Sequence, residues 1–293
     1  MADASTPHLR WRLEVPFESE DALTDWLMDA GATAFYREAD PPQDLLAYFP
    51  PGVPPPQVDG LGSFGGVKLL GQETFDDEDW LSKSREGFGC IEVGAGFFVR
   101  PRWEDTPAPE GRRPIVVNPG LAFGTGGHET TRLCLELLER LQGEQRLGGR
   151  TLDVGSGTGI LALGAWMLGA RDILAFDIDP DCGPAMEDLM TDNAGELKGE
   201  RPFRALVGTL AHPEVQAFGP VQGMLANILL ETIQELLPQM VALLSPGAWL
   251  VASGILAERE DEAFVSLTTH GLIIQEVRRE GAWIAILAEK ATA

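Results

Sequence analysis

Three glycines alternate in the stretch Thr151-Leu-Asp-Val-Gly-Ser-Gly-Thr-Gly-Ile160, at Gly155, Gly157 and Gly159. Glycine reaches backbone conformations closed to other residues and lets a ligand approach the main chain closely. The stretch reads as a short buried strand, a sharp turn and the opening of a helix over 160–168. The next apolar run, Asp172-Ile-Leu-Ala-Phe-Asp-Ile-Asp179, carries Asp177 at its end, where a carboxylate can meet a ribose hydroxyl pair. Strand, glycine turn, helix, strand and acid make the nucleotide-binding half of a doubly wound sheet. The spacing G-x-G-x-G lacks the last glycine of the dinucleotide fingerprint, which tilts the ligand towards S-adenosylmethionine.

Two further groups of residues could act on such a ligand. Gly120, Gly124, Gly126 and Gly127 make a loop that ends on a helix start, with Thr130 and Thr131 in or near the first turn. Such a loop can close over a ligand and offer it hydroxyls and free backbone N–H groups. A plain capped helix entry would read the same way. Asn227 stands at the C-terminal end of the apolar strand 221–230, where an open α/β sheet keeps its ligands. A buried amide there needs partners. It either caps the following helix, 231–244, or holds the reacting group. His128 stands alone, since His8, His212 and His270 show no metal spacing with it. Loop packing or helix capping is expected of it, and no metal site. Cys182 is a lone thiol, read as packing.

The elements that must position these residues follow the chain. Residues 9–17 alternate apolar and polar, as a half-buried strand does. A helix capped by Ser19 and stopped by Gly31 comes next, then strands at 32–37 and 67–70, a helix from Glu78 to Phe88 and a strand at 91–100. That order, β-α-β-β-α-β, is the split βαβ of a ferredoxin-like domain. Seven prolines in residues 41–60 argue for an irregular loop there. Four prolines in 101–114 mark the domain boundary. Beyond the glycine turn come a helix at 180–193, strands at 203–208, 221–230 and 248–254, a helix at 258–269 and a terminal hairpin, 272–279 with 283–289. A mostly parallel sheet closed by an antiparallel hairpin is the layout of Rossmann-like methyltransferases.

Composition narrows the partners. The chain has 293 residues and a formal charge of −23. That surface repels nucleic acid and anionic lipid and favours basic partners. Cys90, Cys134 and Cys182 have no paired spacing, which fits a reducing compartment. No signal peptide is expected from the first residues, and no apolar run is long enough to span a membrane, so a cytoplasmic protein is expected.

With these residues quoted, the chain resembles the bacterial methyltransferases of large-subunit ribosomal protein eleven, the PrmA family. Asn118-Pro-Gly-Leu-Ala-Phe-Gly-Thr-Gly-Gly-His-Glu-Thr-Thr131 resembles the family's D-P-G-x-A-F-G-T-G-x-H-x-T-T loop, with Asn118 where an acid is usual. Leu152–Ala162, Asp177–Pro180, Ala226–Leu229, Ser253–Leu256 and Trp283 are similar to family segments, as are Trp80 and Pro101-Arg-Trp103 in the first half. The proline-rich 41–60 segment is a departure. The resemblance implies a substrate-recruiting ferredoxin-like domain over 1–104, a linker over 105–114 and a seven-stranded methyltransferase domain over 115–293. It implies S-adenosylmethionine as cofactor, held at Thr131, Gly155, Asp177 and Asn227, with Asp153 and the 155–159 backbone, Gly157 included, lining its methionine and ribose side. Asn227 is then also the catalytic candidate, orienting an amine. The implied partner is a basic ribosomal protein, methylated on lysine and/or the N-terminal amine by a monomeric enzyme that binds no nucleic acid directly. Rival readings are a methyltransferase for another basic protein or a small molecule, a nicotinamide dehydrogenase and a non-catalytic cofactor-binding module. DNA adenine methylation is disfavoured, because Ile-Leu follows Asn227 and not Pro-Pro-aromatic, leaving no slot for a flipped base.

Overall fold

A computed structural model describes residues 8–16, 19–32, 34–37, 44–50, 52–75, 89–118 and 126–292. The chain divides into two compact units, 1–87 and 88–293. The expected helix 78–88, with Trp80, and the 119–125 part of the glycine loop lie outside the described residues.

The first unit is built on β1 (His8–Glu14), α1 (Glu20–Asp29), β2 (Ala34–Arg37), β3 (Leu45–Phe49) and β4 (Lys68–Phe75). All its strand pairs are antiparallel, in the order β2-β3-β1-β4. Trp11 and Leu13 of β1, Leu23 and Leu27 of α1 and Ala47 and Phe49 of β3 form one core. The period of two along the strands and of four along the helix puts them on facing sides. Gly31 ends α1 at φ +94°, as expected. Ser19 stands at the N-cap without a side-chain capping bond; its hydroxyl donates to Gly65 O instead.

Two expectations change here. β3 lies inside the 41–60 segment expected to be irregular, because its apolar residues find partners on both β1 and β2. Among the described residues the four-stranded sheet thus takes its last strand from 68–75, with a 3-10 turn, Val58–Ser63, between β3 and β4.

The expected fourth strand, 91–100, belongs to the second unit. It is a hairpin of β5 (Ile91–Val93) and β6 (Phe97–Pro101), and β6 runs parallel to β7 (Arg113–Val117). Phe97, Val99, Ile115 and Val117 pack into the same core as the helices of that unit. The division therefore falls at 87/88 and not at 104, and 102–112 is a loop within this sheet rather than a domain linker. Asn193 ties the small sheet down: its amide donates to Val116 O at 2.7 Å and accepts from Val116 N at 2.8 Å.

The rest of the second unit is one sheet in the order β10-β9-β8-β11-β12-β14-β13. Its strands are β8 (Arg150–Val154), β9 (Asp172–Asp177), β10 (Arg204–Val207), β11 (Val221–Asn227), β12 (Leu244–Leu256), β13 (Leu272–Glu280) and β14 (Trp283–Lys290). The first five run parallel, and β14 pairs antiparallel with both β12 and β13. This is the expected parallel sheet with a terminal antiparallel hairpin. Helices α2 (Glu129–Gly143), α3 (Ile160–Met167) and α4 (Cys182–Asp192) cover one face; a short α5 (Ala194–Leu197) follows α4. Helices α6 (Pro213–Phe218), α7 (Leu230–Leu243) and α8 (Glu260–Thr269) cover the other. Alternation along each strand sorts side chains between the two cores. Leu152 and Val154 face α6–α8, so Thr151 and Asp153 face α2 and α3. By the same parity Asn227 and Ser253, directly paired across β11 and β12, lie on the α2 face. Buried polar groups from three strands, Asp153, Asn227 and Ser253, thus lie on the face that α2 and α3 cover.

Among the described residues, no helix is long and apolar enough to cross a membrane.

Candidate cofactor and transfer site

The glycine turn joins β8 to α3 across the end of β9. Gly155, Gly157 and Gly159 all adopt left-handed φ, at +67°, +53° and +83°. A side chain on Gly155 would put its Cβ 2.3 Å from Ile228 Cγ2, so the turn also needs glycine for space. The N–H groups of Gly155 and Ser156 both donate to Phe176 O, each at 3.0 Å, and the N–H of Gly157 donates to Asp177 Oδ2 at 2.9 Å. Asp177 Oδ1 accepts from Asp179 N at 3.1 Å. A carboxylate has about four lone-pair sites, so two bonds fix its orientation and leave acceptor capacity towards solvent, where the residue is half-exposed.

Asp153 is placed differently from the other expected contacts. It is 1% exposed, and its Oδ2 accepts from Ala162 N in the first turn of α3 at 3.0 Å. It clamps strand to helix from beneath the turn. Burial pushes its carboxyl up to about 7, the Ala162 N–H pulls it down, and the nearby Asp177 charge raises it. The consequence for stability has a definite sign. The native state holds the proton more tightly than the unfolded chain, so this group's favourable contribution is complete below pH ~4 and lost as pH rises through about 7. At 1.36 kcal/mol per pKa unit the loss is on the order of 4 kcal/mol. Asp153→Asn keeps an acceptor for Ala162 without the titration. The variant's melting temperature should gain on the wild type from about pH 4 to about pH 7 and level off above it, and a pH-independent difference would refute the assignment.

Thr131 and Asn227 meet on the far side of the turn. Thr131 lies in the first turn of α2 and is fully buried. Asn227 Nδ2 donates to Thr131 Oγ1 at 3.5 Å, the outer limit of a hydrogen bond. Asn227 is 9% exposed, and its Oδ1 is buried without a hydrogen-bond partner. The residue does not cap α7, whose N-cap is Leu229, so one of its two open roles is removed. His128 is the N-cap of α2, as expected, with Nδ1 accepting from Thr130 N. Its ring meets Trp283 edge-on at 5.0 Å, and burial lowers its pKa. Gly126, at φ +81°, packs where a Cβ would lie 2.7 Å from Val99 Cγ1.

The expected residues thus fall into two pairs, Gly157 with Asp177 and Thr131 with Asn227, on either side of Gly155. Asp153 lies beneath them. Cys182 is packed in the core, its thiol pushed up to about 12 by burial and by Asp177 and Asp179. What the spacing did not give is Arg132, one residue beyond Thr131, which holds the Glu280 carboxylate and the Gly127 carbonyl. The alternating charges Arg132, Glu136, Arg140 and Glu144 along one helix face are the signal that could have found it.

An orphaned acceptor, a tethered carboxylate with acceptor sites to spare and a turn closed to Cβ atoms suit a nucleoside carrying an amino-acid tail, as S-adenosylmethionine is. A separate cavity of about 370 Å³ is lined by Arg150, Arg171, Asp172 and Gln222, at the N-terminal ends of β8 and β9. Open parallel sheets bind ligands at the opposite ends of their strands, so the cavity is not this site.

Residues 57–291 match the family model described as ribosomal protein L11 methyltransferase (PrmA). A ribosomal protein L11 methyltransferase of Pelobacter propionicus is 40% identical over 223 residues, covering 74% of this chain and 69% of that one. One from Geotalea uraniireducens is 34% identical over 303 residues, covering 92% and 94%. The crystal structure of ribosomal protein L11 methylase from Lactobacillus delbrueckii subsp. bulgaricus superposes with a TM-score of 0.60 at 29% identity, over 70% of this chain and all of that one. A nicotinamide dehydrogenase is thereby set aside. The chain belongs to the ribosomal protein L11 methyltransferase (PrmA) family.

Proposed function

We propose that this protein methylates amines of ribosomal protein L11, on lysine side chains and/or the N-terminus, with S-adenosylmethionine as donor. The observation that carries the reading is the buried, unpartnered Oδ1 of Asn227 at the end of β11. An unsatisfied buried acceptor costs roughly 1–3 kcal/mol, and an amine bound there supplies the missing donor. When bound, S-adenosylmethionine presents an electrophilic methyl group on a cationic sulfonium.

Every other part of the task falls to this chain's residues. Asp177 takes the ribose hydroxyls. Gly155 and Gly157 let the backbone come close, with Asp153 holding the turn from below. Thr131 binds on the opposite side, and Asn227 aims the amine. A free lysine has a pKa of about 10.4 and must react neutral. A dry pocket beside a positive charge lowers that value through desolvation and like-charge repulsion, so no general base is required. Alignment then supplies the larger part of the rate, since oriented reactions gain roughly 7–11 kcal/mol. The charge of −23 favours a basic protein and disfavours direct nucleic-acid binding. The reading includes a monomeric enzyme acting in the cytoplasm.

The test is transfer of a radiolabelled methyl group to purified large-subunit ribosomal proteins, with mass mapping of the labelled band. Label on L11 at lysine or the N-terminus is expected. Label confined to another protein would overturn the substrate, and bound cofactor with no label anywhere would make this a non-catalytic module.

A further inference from the structure

We infer that Arg132 and Glu280 are positioning residues for methyl transfer, fixing the first turn of α2 and with it Thr131 against Asn227. The inference rests on the transfer site proposed above.

Arg132 follows Thr131 directly. Its Nε and Nη2 reach both oxygens of Glu280, at 3.1, 3.2 and 2.7 Å, a two-pronged pair. Its Nη1 donates to Gly127 O, in the segment entering the helix. One guanidinium therefore spans the glycine loop, the helix start and the terminal hairpin. Glu280 is the last residue of β13 and the cross-strand partner of Trp283, whose ring meets the His128 cap. The same hairpin also reaches the Asn227 side. Ser253 Oγ donates to Ile284 O at 2.7 Å, and Ser253 O accepts from Ile228 N at 3.2 Å. Both halves of the Thr131–Asn227 pair are thus fastened to one hairpin. Their separation is already 3.5 Å, so a small shift of α2 breaks it.

The charged face of α2 supplies its own control. Arg278 donates to Glu136 at 2.9 Å, between the same two elements but one turn further from the site. Side-chain exposures are similar, 21% and 41% for Arg132 and Glu280 against 29% for both members of the other pair. The two-pronged pair has the better geometry, but partly exposed pairs add only roughly 0–1 kcal/mol each. A purely structural role would leave kcat alike in the two variants.

The experiment compares Glu280→Gln with Glu136→Gln in the full-length protein, reading melting temperature, kcat and KM for methylation of L11, and S-adenosylmethionine affinity by calorimetry. The expected result is equal melting temperatures, kcat about tenfold lower in Glu280→Gln alone, and part of it recovered in Glu280→Asp. Equal kinetics in the two glutamine variants would overturn the inference. A wild type that binds S-adenosylmethionine but leaves L11 unlabelled would sink the substrate reading separately. Affinity then decides: at least threefold weaker binding in Glu280→Gln than in Glu136→Gln supports the positioning role, and equal binding overturns it.

Discussion

Asn227→Ala is expected to lower kcat for methyl transfer about a hundredfold while leaving the fold intact. Misplacing a reacting group by about 1 Å can cost that much, and Asn227 is the only expected site residue, among those described, with a buried atom lacking a partner. The accompanying stability change distinguishes a functional asparagine from a structural one. Its Oδ1 is unsatisfied, and its Nδ2 makes one long bond to Thr131. Removing the side chain therefore removes a desolvation penalty of roughly 1–3 kcal/mol and loses little in exchange. A melting temperature equal to or above the wild type is expected in the absence of cofactor. Full activity in the variant would refute the orienting role. A steep fall in stability would show that the amide holds the fold together instead.

The same asparagine shows what the sequence could carry. Its position towards a strand end was readable because 221–230 is mostly apolar, as a strand buried on both faces must be. The side of the sheet it faces follows from alternation with Leu225, which packs against the α2 core. The glycine turn was readable for a similar reason: left-handed φ at three alternate positions leaves few residues other than glycine. Pairing was harder to read. Residues 91–100 have the pattern of a strand, but nothing in that pattern says that β6 pairs with β7. The ferredoxin-like order thus took its last strand from the wrong unit. β3 was hidden for the opposite reason. Prolines crowd both sides of 44–49 and disguise a strand that pairs with its neighbour β2 and with β1, more than thirty residues earlier in the chain. The burial of Asp153 was unreadable too, because a carboxylate in a glycine-turn segment looks like a ligand contact until Ala162 is seen bonded to it.

Asp177→Ala acts on binding, where Asn227→Ala acts on turnover. The wild-type carboxylate is already oriented by Gly157 N and Asp179 N, so a vicinal diol meets acceptors that need no reorganisation. Hydrogen bonds to a charged group add roughly 1.5–3 kcal/mol each, so losing the carboxylate should weaken S-adenosylmethionine binding about 10- to 100-fold, at 1.4 kcal/mol per tenfold. The cost to the fold is smaller, on the order of 1 kcal/mol, because water can replace the carboxylate at a half-exposed position and satisfy Gly157 N. Asp177→Asn keeps one acceptor oxygen without the charge and should fall between the wild type and the alanine variant. At saturating cofactor, kcat of Asp177→Ala should return to within a fewfold of the wild type, since Asp177 ends β9 and Asn227 ends β11, with β8 between them. Unchanged affinity by calorimetry would remove Asp177 from the cofactor site. A kcat that stays low at saturation would mean that the tether between Gly157 and Asp177 also sets the alignment of the methyl group, and the division of labour between the two sides of Gly155 would have to be redrawn.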